Sequence, residues 1–273
     1  MRNAKLTVAI LCAASGALAG CQSVQTTSPG AVGIERRQTM LVSSQQVNEG
    51  AARAYQQTLQ DAAKKGQLDR DPAQLARVRG IAQRLIARTS AFRADAPGWA
   101  WEEHVISSQE INAWCMPGGK IAVYTGLIDQ LRATDEELAA VMGHEIAHAL
   151  REHGRERASQ AMAQGVAISV IGAVAGISAG AQDLSQLVLD MTFNLPNSRL
   201  DETEADRIGV ELAARAGYNP HSAIGLWEKM QKVGGAKPPQ FLSTHPSDAS
   251  RISDLRSYAE RVMPLYEAAR ANR

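Results

Sequence analysis

Apolar positions recur at three-to-four-residue spacing along most of this chain, and the places where that period fails mark its organisation. From Ile34 to about Arg93 the pattern is helical. Ala51, Ala54, Tyr55, Thr58 and Leu59 share one face until Gly66 interrupts it. Asp71-Pro72 then starts a second helix, with Asp71 as its cap and Pro72 in its first position, carrying Leu75, Val78, Ile81, Ala82, Leu85 and Ile86. Between Trp99 and Leu131 the period shortens. Trp101, Val105 and Ile111, then Ile121 to Tyr124, predict short strands, with Pro117-Gly118-Gly119 as a turn; a small antiparallel sheet is the simplest arrangement. Thr134-Asp135-Glu136-Glu137 is a capping box that opens a helix through Leu138, Val141, Met142, Ile146 and Ala149. The expected fold is α+β and mainly helical.

The ends and one internal stretch depart from this pattern. Arg2 and Lys5 precede an apolar run, Leu6 to Leu18, too short to span a bilayer and suited to a secretory signal over residues 1–20. Leu18-Ala19-Gly20-Cys21 resembles the lipobox of bacterial lipoproteins, which implies a mature chain beginning at a lipidated Cys21. Gln22 in the next position resembles outer-membrane sorting in that group. Residues 21–33, rich in Ser, Thr, Gly and Pro, read as a flexible tether, with the folded domain expected over 34–273. No charge occurs between Arg157 and Asp183, where Gly165, Gly172, Gly176 and Gly180 suit a closely packed buried helix or hairpin, with membrane contact as the alternative.

Composition removes other classes. The 29 basic and 28 acidic side chains nearly cancel, and 45% of residues are apolar, which excludes a disordered chain and a polybasic nucleic-acid binder. Of three cysteines, Cys12 leaves with the signal and Cys21 is acylated, so Cys115 has no intrachain partner.

The chemistry concentrates at His144-Glu145-Ile146-Ala147-His148, an HExxH motif inside the capped helix. Four residues advance a helix by just over one turn, so both imidazoles face one way and can share an ion, with Glu145 placed to reach water there. One zinc ion per chain fits, because a catalytic site takes three protein ligands and leaves a position for water. A metzincin would have Gly at 151 and His at 154; Arg151 and Gly154 exclude it. His153, five residues past His148, is read as a solvated helix-end histidine. The third ligand is sought in Ser198-Arg199-Leu200-Asp201-Glu202-Thr203-Glu204-Ala205-Asp206. Glu202 and Asp206 share a face, so Glu202 can ligate while Asp206 bonds the far nitrogen of a ligand histidine. Glu204 points about 160° away on a regular helix, and its same-spacing neighbour is Ile208.

HExxH, then SRxxExEADxxG, then Thr244-His245-Pro246 together resemble the gluzincin metallopeptidases related to CAAX prenyl protease 1 and HtpX. The nearest likeness is to periplasmic lipoprotein members of the BepA, LoiP and YcaL type. It runs from about residue 35 to 260 and implies a zincin-type (gluzincin) domain with its small sheet beside the HExxH helix. Asn112-Ala113-Trp114-Cys115-Met116-Pro117-Gly118-Gly119 is similar to that family's substrate-binding edge strand, with Trp114 and Cys115 in place of the commoner Phe and Ala. No tetratricopeptide extension follows before Arg273.

The resemblance also implies that His245 and Arg251 (HPxxxxR) supply oxyanion donors. Two other roles stay open for His245: an idle residue in a loop capped by Asp248, or a residue that swings onto the metal and holds the enzyme latent. Together these features predict a zinc endopeptidase of the bacterial periplasm, lipid-anchored at Cys21 to the outer membrane, in which Glu145 moves the proton and edge-strand pairing holds extended, unfolded or misassembled polypeptides. The competing expectation is a chaperone or assembly factor, working with the outer-membrane assembly machinery, whose peptidase activity is latent or secondary. A zinc site that is only structural would close the fourth position with Cys or His. No nucleic-acid partner is expected.

Overall fold

The computed structural model describes residues 22–175, 184–233, 239–246 and 249–271. The signal segment, Cys21, Asp248 and part of the uncharged stretch (176–183) lie outside the described residues.

Helix α1 (Ser44–Lys64) begins with a capping box between Ser43 and Gln46. Helix α2 (Pro72–Ile86) begins at Asp71, whose carboxylate accepts from the amides of Ala73 and Gln74. Both starts lie where the polar pattern places them. Three strands follow: β3 (Glu102–Ile106), β4 (Ala113–Met116) and β5 (Lys120–Tyr124). Their order is β3-β5-β4, parallel between β3 and β5 and antiparallel between β5 and β4. The sheet is therefore mixed, not antiparallel. Residue alternation reveals strands but carries no information about which neighbour each one takes. Gly118 and Gly119, both at positive φ, make the β4–β5 turn. A Cβ on Gly119 would stand 2.6 Å from the Trp101 ring, so this turn admits only glycine there. β4 is left at the sheet edge, packed against the helix that carries HExxH.

After the short helix α3 (Thr125–Asp129) comes α4 (Asp135–Leu150), opened by the Thr134–Glu137 capping box. Then follow α5 (His153–Ala175), α6 (Leu184–Phe193), α7 (Arg199–Arg215), α8 (Ser222–Val233), α9 (Gln240–Thr244) and α10 (Ala249–Ala271). Helix α4 is the hub: α2, α7, α8 and β4 pack around it, and thirteen of its consecutive residues from Leu138 to Leu150 are buried. No helix of the described residues is long and apolar enough to cross a membrane.

The segment read as a tether is ordered. β1 (Gln22–Val24) pairs antiparallel with β2 (Gln38–Met40), and Val32 and Ile34 between them enter the main core. The Val32 amide donates to Glu211, and the Thr26 hydroxyl to the Arg151 carbonyl. A polar composition signals flexibility only where its groups face water; here Arg151 and Glu211, both fully buried, take them up.

Candidate metal centre

Helices α4 and α7 touch backbone to backbone beneath the site. A Cβ on Gly143 would lie 2.9 Å from the Gly209 carbonyl, and one on Gly209 would lie 2.7 Å from the His144 amide. This contact sets His144 and His148 against Glu202 and Asp206. His144 Nε2 and His148 Nε2 are 3.1 Å apart, with Glu202 Oε2 3.4 Å from the first and Glu202 Oε1 3.3 Å from the second. Tetrahedral zinc with bonds of about 2.0–2.1 Å places its ligand atoms about 3.3–3.4 Å from one another, so these three groups fit the ion. Among the described residues, His144, His148, Glu202 and His245 form one buried group whose donor atoms all lie within 4.8 Å of one another.

Each ligand histidine is held from behind. His144 Nδ1 lies 2.9 Å from Asp206 Oδ1, so its Nδ1–H is the donor and Nε2 is the nitrogen left for a metal. Arg251 braces that carboxylate through Nε and, at 2.8 Å, Nη2. Its Nη1 also pairs with Glu202 Oε2 at 2.6 Å, and its guanidinium lies 3.9 Å over the Trp227 ring. Arg251 is thus turned toward the carboxylates rather than left loose at the start of α10.

His148 Nδ1 lies 2.9 Å from His153 Nδ1, and His153 is 1% exposed. The expectation of a solvated His153 is overturned. Helix α4 ends at Leu150, Glu152 adopts φ 53°, and α5 begins at His153, so the chain turns back on itself and a continuous helical wheel no longer applies. Glu204 does face away from the ligands, but its carboxylate is buried and meets His153, Arg151 and Arg36. Sequence spacing offered no signal for these contacts, whose partners lie far along the chain.

His245, at the end of α9, rests on the Phe241 ring at 4.3 Å between centroids and is 5% exposed. Its Nδ1 is 2.9 Å from Glu202 Oε1 and 3.2 Å from His144 Nε2, beside the three ligands. Its Nε2 is 3.4 Å from Glu145 Oε1. Asn197, which the motif analysis passed over, donates to Glu202 Oε1 at 2.8 Å.

Burial opposes charge on His144, Glu145, His148 and Glu202. It pushes His148 well below its ordinary value and raises the Glu145 carboxyl against the pull of His245 and His144. At His144 burial is outweighed by Glu202 and Asp206, which hold the imidazole up at about 9. Glu202 is held well below the carboxylate range, because His245 and His144 outweigh its burial. The site therefore offers an anionic carboxylate and a neutral imidazole, with one proton on His144 for an incoming cation to displace. Glu145 Oε1 is buried and has no hydrogen-bond partner, the state expected of a base awaiting water.

β4 closes one wall of the cleft. Trp114, Cys115, Met116 and Pro117 line it opposite Val188 and Met191 of α6. The Cys115 thiol is buried and in no disulfide. Trp114 packs edge-on against Tyr55 and Phe193. Asn112 Oδ1 bonds to the Ala113 amide and shapes the start of the strand.

The family model described as peptidase family M48 matches residues 72–259 of this chain. The chain belongs to that family. Similar proteins include mitochondrial metalloendopeptidase OMA1 of Arabidopsis thaliana, 35% identical over 189 residues, which are 68% of this chain and 38% of that protein. OMA1 of Saccharomyces cerevisiae is 34% identical over 178 residues, 62% of this chain and 50% of its own. The beta-barrel assembly-enhancing protease of Escherichia coli (strain K12) is 26% identical over 204 residues, 71% and 41% of the two chains. The chain spans half or less of the length of these relatives. The M48 match includes every residue of the buried four-donor group, while the β1–β2 segment precedes it.

Proposed function

We propose that this chain is a zinc-dependent endopeptidase of the bacterial envelope that cuts extended segments of unfolded or misassembled proteins. One observation carries the reading: His144, His148 and Glu202 converge at tetrahedral spacing beside a buried Glu145 oxygen that lacks a partner. Zinc held there supplies Lewis-acid chemistry that makes water a nucleophile near neutral pH. With the ion in place, Glu145 would take a proton from water in the cleft at its unpartnered Oε1 and return it to the leaving amine nitrogen. His148 and Glu202 bind as the neutral and anionic donors, and Asp206 with Arg251 keeps His144 in the ligating tautomer. Edge strand β4 aligns a substrate by main-chain pairing, which requires an extended partner and tolerates many sequences. Envelope placement rests on the lipobox-like Leu18-Ala19-Gly20-Cys21, and a role near outer-membrane assembly draws support from the name of the Escherichia coli relative.

Glu145→Gln tests the reading: zinc content measured by mass spectrometry stays at one ion per chain, while digestion of a reduced, unfolded protein falls by at least about a hundredfold. Digestion at the wild-type rate would remove Glu145 from the reaction. A second reading, an assembly factor with latent peptidase activity, is favoured by the position of His245 Nδ1 beside the ligands. There it would compete with water for a bound ion.

A further inference from the structure

We propose that His153, anchored by Glu204, is the positioning residue for the second metal-binding histidine and selects the tautomer in which His148 can ligate. The inference rests on the metal site proposed above but on no step of its chemistry. Two facing ring nitrogens, His148 Nδ1 and His153 Nδ1 at 2.9 Å, can share only one proton, so one donates and the other accepts. Direction comes from the far side. His153 Nε2 stands 3.1 Å from Glu204 Oε2. That carboxylate is bonded by Arg36 Nε at 2.7 Å and Arg151 Nε at 2.9 Å, and as an anion it only accepts. His153 therefore donates from Nε2, keeps a lone pair on Nδ1, and receives the Nδ1–H of His148. The consequence is a His148 Nε2 with a free lone pair, aimed at the ligand group.

The arrangement mirrors the Asp206–His144 pair, with one imidazole inserted between carboxylate and ligand. It also recruits the N-terminal segment, because Arg36 ties Glu204 to Glu156 (Nη1–Oε1 2.6 Å), and Gln38 reaches the same Glu156. His153 lines the cleft next to His148 and meets the ligand group only through His148 Nδ1. Its effect passes through His148.

The experiment compares full-length wild type, His153→Ala, His153→Gln and Glu204→Ala by chelator competition for zinc and by the visible spectrum of the cobalt-loaded protein. Steady-state kinetics on an unfolded substrate and circular dichroism accompany both. His153→Ala is expected to weaken zinc binding by about tenfold to a hundredfold and to shift the cobalt bands. At saturating zinc, kcat falls while KM stays near wild type. His153→Gln, whose amide oxygen and nitrogen can stand for the two ring nitrogens, recovers most of the affinity. Adding Glu204→Ala to His153→Ala costs no further affinity, because both act through one connection. Wild-type affinity and spectrum in folded His153→Ala would overturn the proposal, as would a loss that His153→Gln does not recover. If His153→Ala does not fold, Glu204→Ala decides: weakened zinc binding supports the relay and unchanged binding rejects it. Zinc affinity is read without substrate, so an active Glu145→Gln would defeat the peptidase reading and leave this result standing.

Discussion

The two ends of the described chain close on the α4–α7 pair from opposite sides and by different means. From behind, the N-terminal segment reaches it through Thr26, Arg36 and Gln38, which bond to Arg151, Glu156 and Glu204 and never to a ligand atom. From the front, the C-terminal segment puts His245 and Arg251 directly against Glu202, His144 and Asp206. The back clamps groups that hold ligands; the front meets the ligands themselves. Changes behind the site should therefore act on stability and metal affinity, and on the reaction rate only through the ligand they position, whereas changes in front can alter the rate directly.

The largest effect is expected at Arg251. It is 7% exposed and Asp206 4%, so Arg251→Met strips a buried carboxylate of its braced cation. Breaking such a buried pair costs about 3–5 kcal/mol. Urea unfolding of the metal-free protein measures it, and a loss below about 1 kcal/mol, as for a surface pair, would erase the distinction between front and back.

Arg36→Met should cost less, because the Arg36 side chain is 26% exposed and solvent screens its pairs. Its pH dependence has a definite sign. Burial opposes the ionised carboxyls, yet His153 and Arg36 hold Glu204, and Arg36 and Gln38 hold Glu156, below the ordinary value of 4.5. Lowered folded-state values give stability that is present above that value and is lost as pH falls through the folded ones. The Tm gap between wild type and Arg36→Met should thus be wider at pH 7 than at pH 4. A gap that grows in acid would show that Arg36 acts by something other than pairing these carboxylates.

The smallest effect on stability, and the one that separates roles, belongs to His245→Ala. Zinc should be retained by His144, His148 and Glu202, and basal digestion of an unfolded protein should rise several-fold as the coordination position opens. A fall in kcat of about a hundredfold or more, the loss typical of a missing oxyanion donor, would assign the side chain to the reaction instead.

The same division explains what could be read in advance. HExxH, the Thr134–Glu137 box and the Glu202–Asp206 spacing are short-range features, fixed by helical geometry that a single chain displays. The front motif, His245 to Arg251, was visible as a pattern, although only the fold shows Arg251 turned onto Asp206. Nothing behind the site was legible. His153 looked solvated because a regular helix was extended through Glu152, where the backbone reverses. Glu204 looked idle because its partners, Arg36 and His153, are 168 and 51 residues away. Thr26 and Val32 looked flexible because their burial depends on Arg151 and Glu211, which no local window contains.

The glycine contact between α4 and α7 bears on how such a site can be altered. Gly143 and Gly209 bring two backbones together with no side chain to compress or reorient, so ligand spacing does not depend on how the surrounding core is filled. A library randomising Val141, Ile146 or Ile208 would change melting temperature long before it changed the metal a variant selects. The positions for redesigning specificity lie on the cleft wall, at Trp114, Val188 and Met191, where a new side chain alters the cleft and leaves the ruler beneath it untouched.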